Sequence, residues 1–257
     1  MEQRSNEWYN ARIGKFSGSG ASALMSSVKI KRALNNTTKQ SVIDFIRMHD
    51  DQTDLSKMTL NDLKELADTY PERMLWELSD GTQTYIEQKA AEYLTGLQVE
   101  IPMTFDMERG ISLEPIAIEE WNAIYDTIAG DTPGFIPYND HVGGSPDFLG
   151  MDADGLVVGA EFKCPNQYNH MKYIARISAP EDLLSVHKNY YWQVIFYMLV
   201  CEADQWHWVS YHPDFPSNNV HRIIFEKEDP GIQSSLEQLK FALTNAVEEK
   251  ERIIAMF

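Results

Sequence analysis

The sequence predicts an α/β fold with a central mixed β-sheet flanked by helices. Helical periodicity dominates the first half of the chain, short strand-like runs cluster between about 135 and 225, and an amphipathic helix closes it. Residues 12–22, rich in Gly and Ser, form a loop feeding a helix that begins near Ala21, an arrangement whose free N–H groups favour an anion. Residues 40–96 read as several helices with breaks at Asp50–Thr53, Tyr70–Pro71 and Asp80–Gly81, and show no catalytic spacing. A further helical pattern covers 110–128 through Ile116, Trp121, Ile124 and Tyr125, with Pro115 expected near its first turn. Residues 143–150 and 156–163 flank the turn-forming Asp152-Ala153-Asp154-Gly155 and read as a β-hairpin. An aromatic-rich helix follows at 186–201, then strands at Gln205–Tyr211 and Val220–Phe225, then a helix from Gln233 to about Ile254. No repeat and no Gly/Ser/Pro-rich linker interrupts the chain, so one domain is expected over 1–257. Its helical part covers about 20–130, its sheet core about 135–225 and its closing helix about 233–255.

Composition narrows the function classes. Hydrophobic residues at 43% and charged residues at 24% suit a soluble protein, and no apolar run is long enough to span a bilayer. The start, Met-Glu-Gln-Arg-Ser-Asn-Glu-Trp, lacks the marks of a signal or transit peptide, which leads to an expectation of a cytoplasmic protein without a membrane partner. Two cysteines, Cys164 and Cys201, are too few for a four-cysteine zinc or iron–sulfur site, and no GxxxxGK[ST] motor motif occurs. A net charge of −17 argues at first against a nucleic-acid partner. Its distribution softens the objection, because residues 1–43 carry Arg4, Arg12, Lys15, Lys29, Lys31, Arg32 and Lys39 against only Glu2 and Glu7. An acidic exterior around a locally basic groove suits an enzyme that must hold DNA and still move along it; a soluble surface with a chance basic start explains the charge as well.

The hairpin carries the chemistry. Strand side chains alternate with period two, so Glu161 and Lys163 emerge on one face and Phe162 on the other, and Asp147, near the end of the first strand, can reach the same face. Two carboxylates and a lysine suit Mg²⁺, a hard cation that prefers oxygen ligands and lowers the pKa of bound water. Lys163 could orient that water or steady developing negative charge, and the Phe162 carbonyl is a further ligand candidate. A surface hairpin with a Glu/Lys ion pair accounts for the triplet alone; Ser145-Pro146-Asp147, a turn, and a hydrophobic strand running into Glu161-Phe162-Lys163-Cys164-Pro165 are far more specific.

These blocks resemble the lambda exonuclease-like, viral-recombinase (YqaJ-type) branch of the PD-(D/E)xK nucleases. The resemblance extends to Trp8 with Arg12-Ile13-Gly14 and Ser17-Gly18-Ser19, to Arg109-Gly110 with Glu114, to Tyr191-Trp192-Gln193-Val194, and to Trp208–Pro213, spanning roughly 8–215. Residues 35–100 and the last helix match only in being helical. The resemblance implies a restriction-endonuclease-like core, with Asp147, Glu161 and Glu114 as metal ligands and Lys163 as the catalytic lysine. It implies that Gln193 belongs to the motif one helix after the catalytic strand, and that Arg12, Ser17, Ser19 and Ser145 form a pocket for a terminal 5′ phosphate.

Each assignment has a plainer competitor. Glu114 could be a first-turn carboxylate favoured by a helix dipole, Gln193 a buried amide satisfying backbone groups, Gly18-Ser19-Gly20 a flexible turn, and Arg12 half of a surface ion pair. Upstream of Asp147, residues 135–142 offer only Asp140 as a further acid, which leaves the second metal's coordination open. His207, His212 and His221 lack metal-site spacing, and Tyr190, Tyr191, Trp192, Phe196 and Tyr197, which could stack on bases, read more readily as core. The implied activity is degradation of one strand of linear double-stranded DNA from its 5′-phosphorylated end, with two Mg²⁺ ions for which Mn²⁺ can substitute. A homotrimeric ring and a single-strand annealing partner in phage-type recombination are implied with it. The rivals are another PD-(D/E)xK endonuclease, a RecB-type nuclease, and a non-catalytic DNA-end-binding protein.

Overall fold

The computed structural model describes residues 3–26, 28–31, 38–47, 50, 52–69, 74–99, 102–125 and 128–257, with backbone alone for 28–31 and 74–77. The first elements are α1 (Asn6–Arg12), a 3-10 turn (Gly18–Gly20), α2 (Ala21–Leu24), β1 (Val28–Lys31), α3 (Lys39–Arg47) and α4 (Leu60–Ala67). Next come β2 (Met74–Glu77), α5 (Asp80–Thr95), α6 (Phe105–Ile124), β3 (Ala129–Asp131), β4 (Ile136–Pro137) and β5 (Gly143–Gly144). The chain continues through β6 (Phe148–Met151), β7 (Val157–Lys163), α7 (Gln167–Arg176), α8 (Pro180–Val186) and α9 (Lys188–Val200). It ends with β8 (Gln205–Tyr211), β9 (Val220–Glu226) and α10 (Pro230–Ile254). Contacts divide the chain into two compact units, Ser26–Gly81 on one hand and Met1–Met25 with Thr82–Phe257 on the other.

The larger unit is built on a five-stranded sheet of order β3-β6-β7-β8-β9. Strands β6 and β7 are antiparallel, β7 and β8 parallel, and β8 and β9 antiparallel, so the mixed sheet flanked by helices expected from the sequence is the architecture that forms. Alternation along β7 sends Ala160 and Phe162 to one face, where they pack with Phe148, Val209 and Tyr211 under Trp121 of α6. On the other face α9 lies against Trp206 and Trp208, with Tyr197 stacked on Trp206 at 5.6 Å between centroids. That helix is buried almost all round, and its Tyr191 hydroxyl shares a 2.7 Å hydrogen bond with Ser235 of α10. Helix α9, strands β8 and β9, and α10 lie close to their expected positions.

The smaller unit contains α3, α4 and the antiparallel pair β1–β2. Its core comprises Val42, Phe45, Ile46, Leu55, Leu63 and Ala67, and Thr59 with Asp62 forms a capping box at the start of α4. The stretch read as helices only therefore also holds a strand, β2. Four residues are too few to display an alternating pattern, and the partner strand lies far away in sequence. The expected break at Tyr70–Pro71, part of that at Asp50–Thr53, and Arg32 of the basic segment lie outside the described residues, as do the side chains of Lys29 and Lys31.

Two local expectations are corrected. Helix α6 starts ten residues before Pro115, because the Thr104 side chain caps it by accepting from the Met107 N–H. Pro115 thus sits inside the helix, where it offers no N–H to the Ile111 carbonyl. Asp147 stands just ahead of β6, rather than near the end of a strand. Helix α2 begins at Ala21 as expected but runs for only four residues. Among the described residues no helix is long and apolar enough to cross a membrane.

Candidate active site

The carboxyl end of β7 opens into a cleft of about 490 Å³, bordered by α6 on one side and by the start of α7 and Tyr190 of α9 on the other. Asp147, Glu161, Phe162, Lys163 and Glu114 all line it. The Phe162 ring is packed on Trp121 in the core, so its backbone is what borders the cleft. That backbone also fixes Asp147, whose Oδ2 accepts the Phe162 N–H at 2.8 Å. Position 147 reaches β7 from outside the strand register: Asp147 stands at a bend just ahead of β6, after Pro146, which disfavours a helical backbone at Ser145.

Glu161 is 3% exposed, which is rare for a carboxylate. Its Oε1 accepts from Lys163 Nζ at 2.6 Å and from Gln193 Nε2 at 2.5 Å, whereas its Oε2 is buried with no partner. Burial pushes the Asp147 carboxyl well above the ordinary range, and the charges of Glu161 and Glu114 push it further. Burial also raises Glu161, against the opposing pull of Lys163. For Lys163, burial alone would lower the pKa, but the carboxylates of Glu161 and Asp147 outweigh it and hold the ammonium above its usual range. The Tyr190 ring faces Lys163 Nζ at 4.9 Å and stacks on His187 at 3.6 Å on its way into the protein.

Glu114 is tied to Arg4 at 3.2 Å and lies two and a half turns into α6, which removes the first-turn dipole explanation for it. Among the described residues no three His, Cys, Asp or Glu side chains are already gathered as a ligand set. Asp147, Glu161 and Glu114 are each engaged with protein donors. The donor chemistry nonetheless fits a hard divalent cation, since three carboxylate residues line the same cleft and one of them, Glu161, has a buried oxygen without a partner.

The residues of the expected phosphate pocket fall into a second group. Ser145, buried, accepts from Trp8 Nε1 at 2.7 Å and from Arg12 at 3.3 Å, while the Arg12 guanidinium lies 4.2 Å over the Trp8 ring. Ser17 Oγ and Ser19 Oγ are 3.4 Å apart, and the Ser17 N–H donates to the Tyr85 hydroxyl. Tyr197 links the two groups: its ring lies so close to Gly18 and Gly144 that a Cβ on either would fall 2.9 or 2.7 Å from it, and its hydroxyl end interacts with Gln193.

Asp140 stands exposed in a loop, with its backbone carbonyl accepting from Lys15, and does not line the cleft. His207 and His212 are buried with ring nitrogens bonded to Gln205 and to the Asp214 N–H, and His221 bonds to the Ile177 carbonyl. Residues not singled out for the cleft include Arg4, Asp106, Asn169 and Tyr173. Asp106 could have been found from its spacing, since 106, 110 and 114 share a helix face. Tyr190 was read as core but lines the cleft; Gln193, one turn further on, does not line it and reaches the site through its bond to Glu161.

A mixed sheet flanked by helices, with this acidic–lysine strand at its centre, is a PD-(D/E)xK-type fold. The chain belongs to the YqaJ-like viral recombinase domain family, which it matches over residues 7–204. Its fold is similar to that of an alkaline exonuclease (LHK-Exo) from Laribacter hongkongensis, at 20% identity and a TM-score of 0.61, covering 97% of this chain and 96% of that one. The same enzyme in complex with dAMP gives 21% identity and a TM-score of 0.60, with the same coverage. A phage-related exonuclease from Haemophilus somnus 129PT is similar at 14% identity and a TM-score of 0.51, covering 89% of this chain and 97% of that one. No curated protein matches the chain.

Proposed function

We propose that this chain is a metal-dependent exodeoxyribonuclease that digests one strand of linear double-stranded DNA from 5′-phosphorylated ends, in the 5′ to 3′ direction, for phage-type recombination. The observation that carries the reading is the convergence of Asp147, Glu161, Glu114 and Lys163 on one cleft, with Glu161 Oε2 buried and unpartnered. Family membership and a fold shared with exonucleases support it.

Asp147, Glu161, Glu114 and the Phe162 carbonyl would hold Mg²⁺, two ions in the full reading. When bound, the metal supplies charge neutralisation at the scissile phosphate and an acidified water. Lys163, kept protonated by its carboxylate neighbours, presents a positive charge to the phosphoryl oxygens as negative charge builds on them. Gln193 donates to Oε1 and so holds the Glu161 side chain, leaving Oε2 without a protein partner. Arg12 and the hydroxyls of Ser145, Ser17 and Ser19 would bind the terminal phosphate, which sets the direction of digestion. A homotrimer and a single-strand annealing partner belong to the same proposal. The test uses purified protein, Mg²⁺ and linear duplexes labelled separately at each end, beside a closed circle. Loss of the 5′ label first, with the circle untouched, is expected. Equal attack on circles would overturn the exonuclease reading.

A further inference from the structure

Gly14 lies between Arg12 and Ser17, and its backbone is left-handed, at φ 68°. A side chain is excluded there twice over, by that φ and by Tyr93, whose Cβ would be 2.8 Å from an added Cβ. Both polar groups of this residue are taken by buried charges from distant helices. Its N–H donates to Glu92 Oε2 of α5 at 3.1 Å, and its carbonyl accepts from Lys250 Nζ of α10 at 2.6 Å. Glu92 is 4% exposed and Lys250 is fully buried. Lys89 donates to the same Glu92 oxygen at 2.8 Å. Lys250 also reaches His141 Nδ1 at 3.3 Å, so that nitrogen is the acceptor and Nε2 carries the proton toward Glu251 at 3.1 Å.

Buried charges of this kind seldom add stability over an apolar replacement, so their placement on one residue calls for a geometric reason. The neighbouring bonds supply it. Phe16 takes the His141 carbonyl at 2.8 Å and gives its own carbonyl to the Gly143 N–H at 3.1 Å, so the segment after Gly14 runs beside the one leading to Ser145. Holding Gly14 therefore sets how the Arg12 and Ser17 side of the pocket stands against the Ser145 side.

We propose that Glu92 and Lys250 are positioning residues for end recognition: together they clamp Gly14 and so hold Arg12, Ser17 and Ser19 in register with Ser145. This gives α10 a role in selecting the DNA end, and it rests on the 5′-phosphate reading above. The experiment compares kcat and KM on matched duplexes with 5′-phosphoryl and 5′-hydroxyl ends for the wild type, Lys250→Met, Glu92→Leu and Arg12→Ala, with Tm measured for each. Lys250→Met and Glu92→Leu should each reduce the phosphoryl-over-hydroxyl preference about tenfold, through KM, and leave kcat on hydroxyl ends near wild type. Glu92→Gln, which keeps an acceptor for the Gly14 N–H, should restore most of the preference. An equal loss on both ends, following Tm, or an unchanged preference in Lys250→Met and Glu92→Leu would overturn the clamp. If Arg12→Ala also leaves the preference unchanged, the end-recognition reading itself fails; if Arg12→Ala removes it and the clamp variants do not, only the clamp fails.

Discussion

Around Gly14, the charges of Glu92, Lys89 and Lys250 are all directed at protein partners in a closed interior. At the cleft, by contrast, Glu161 has one oxygen bonded twice and the other with nothing, beside Asp147, whose carboxyl is pushed up by burial and by the charges of Glu161 and Glu114. Burial is similar in the two places, so burial by itself does not mark a reactive site. What separates them is completion. A satisfied buried charge holds backbone in place, whereas an unsatisfied one at an open cleft keeps capacity for something that arrives later.

The comparison breaks most readily at the cleft. Glu161→Ala or Lys163→Ala should lower the cleavage rate by on the order of a thousandfold or more while the protein stays folded, because these charges serve the reaction rather than the core. Tm and single-turnover rates measured together decide the point, and near-wild-type rates in both variants would end the assignment.

The closed cluster should reveal itself in stability against pH. Burial pulls Lys250 down to about 8 from 10.5, with Lys15 and Lys89 adding repulsion. Between those values the unfolded chain binds more protons than the folded one, so the cost of burying the ammonium, roughly 3 kcal/mol, is relieved as pH rises through that window. Denaturant titrations from pH 7.5 to 10.5 should therefore show a steeper gain with pH in the wild type than in Lys250→Met. Parallel curves would mean that the lysine is not a strained buried cation.

Smaller effects sharpen the boundary between recognition and chemistry. Arg12→Ala is expected to cut the preference for 5′-phosphoryl over 5′-hydroxyl ends by about ten- to a hundredfold, the usual size of one charge-assisted contact. Gln193→Leu, which frees the Glu161 side chain to rotate, should lower kcat about tenfold with little change in that preference. A shift in end preference instead would place Gln193 with the pocket, by way of Tyr197.

What could be read in the sequence was local. The β6–β7 hairpin is legible from the Asp152–Gly155 turn, and period-two alternation puts Glu161 and Lys163 on one face. Asp147 belonged to the same short segment. Glu114 and Gln193 lie 47 positions upstream and 32 positions downstream of Glu161, and only the family resemblance linked them to it. The partners of Gly14 were beyond reach, because Lys250 and Glu92 stand 236 and 78 positions away on helices whose charges look like ordinary surface charges. Strands β1 and β2 were too short to carry a pattern, and Tyr190 sat in an aromatic run whose exposed face only packing could decide.

The central claim is that the carboxylate cleft is completed by a divalent cation. Calorimetric titration of Mn²⁺ into the metal-stripped protein, for the wild type and for Asp147→Asn and Glu161→Gln, tests it without relying on turnover. The account predicts saturable binding in the wild type, lost or weakened at least tenfold in both variants, in parallel with the loss of Mg²⁺-dependent cleavage. Equal binding in all three proteins would contradict it.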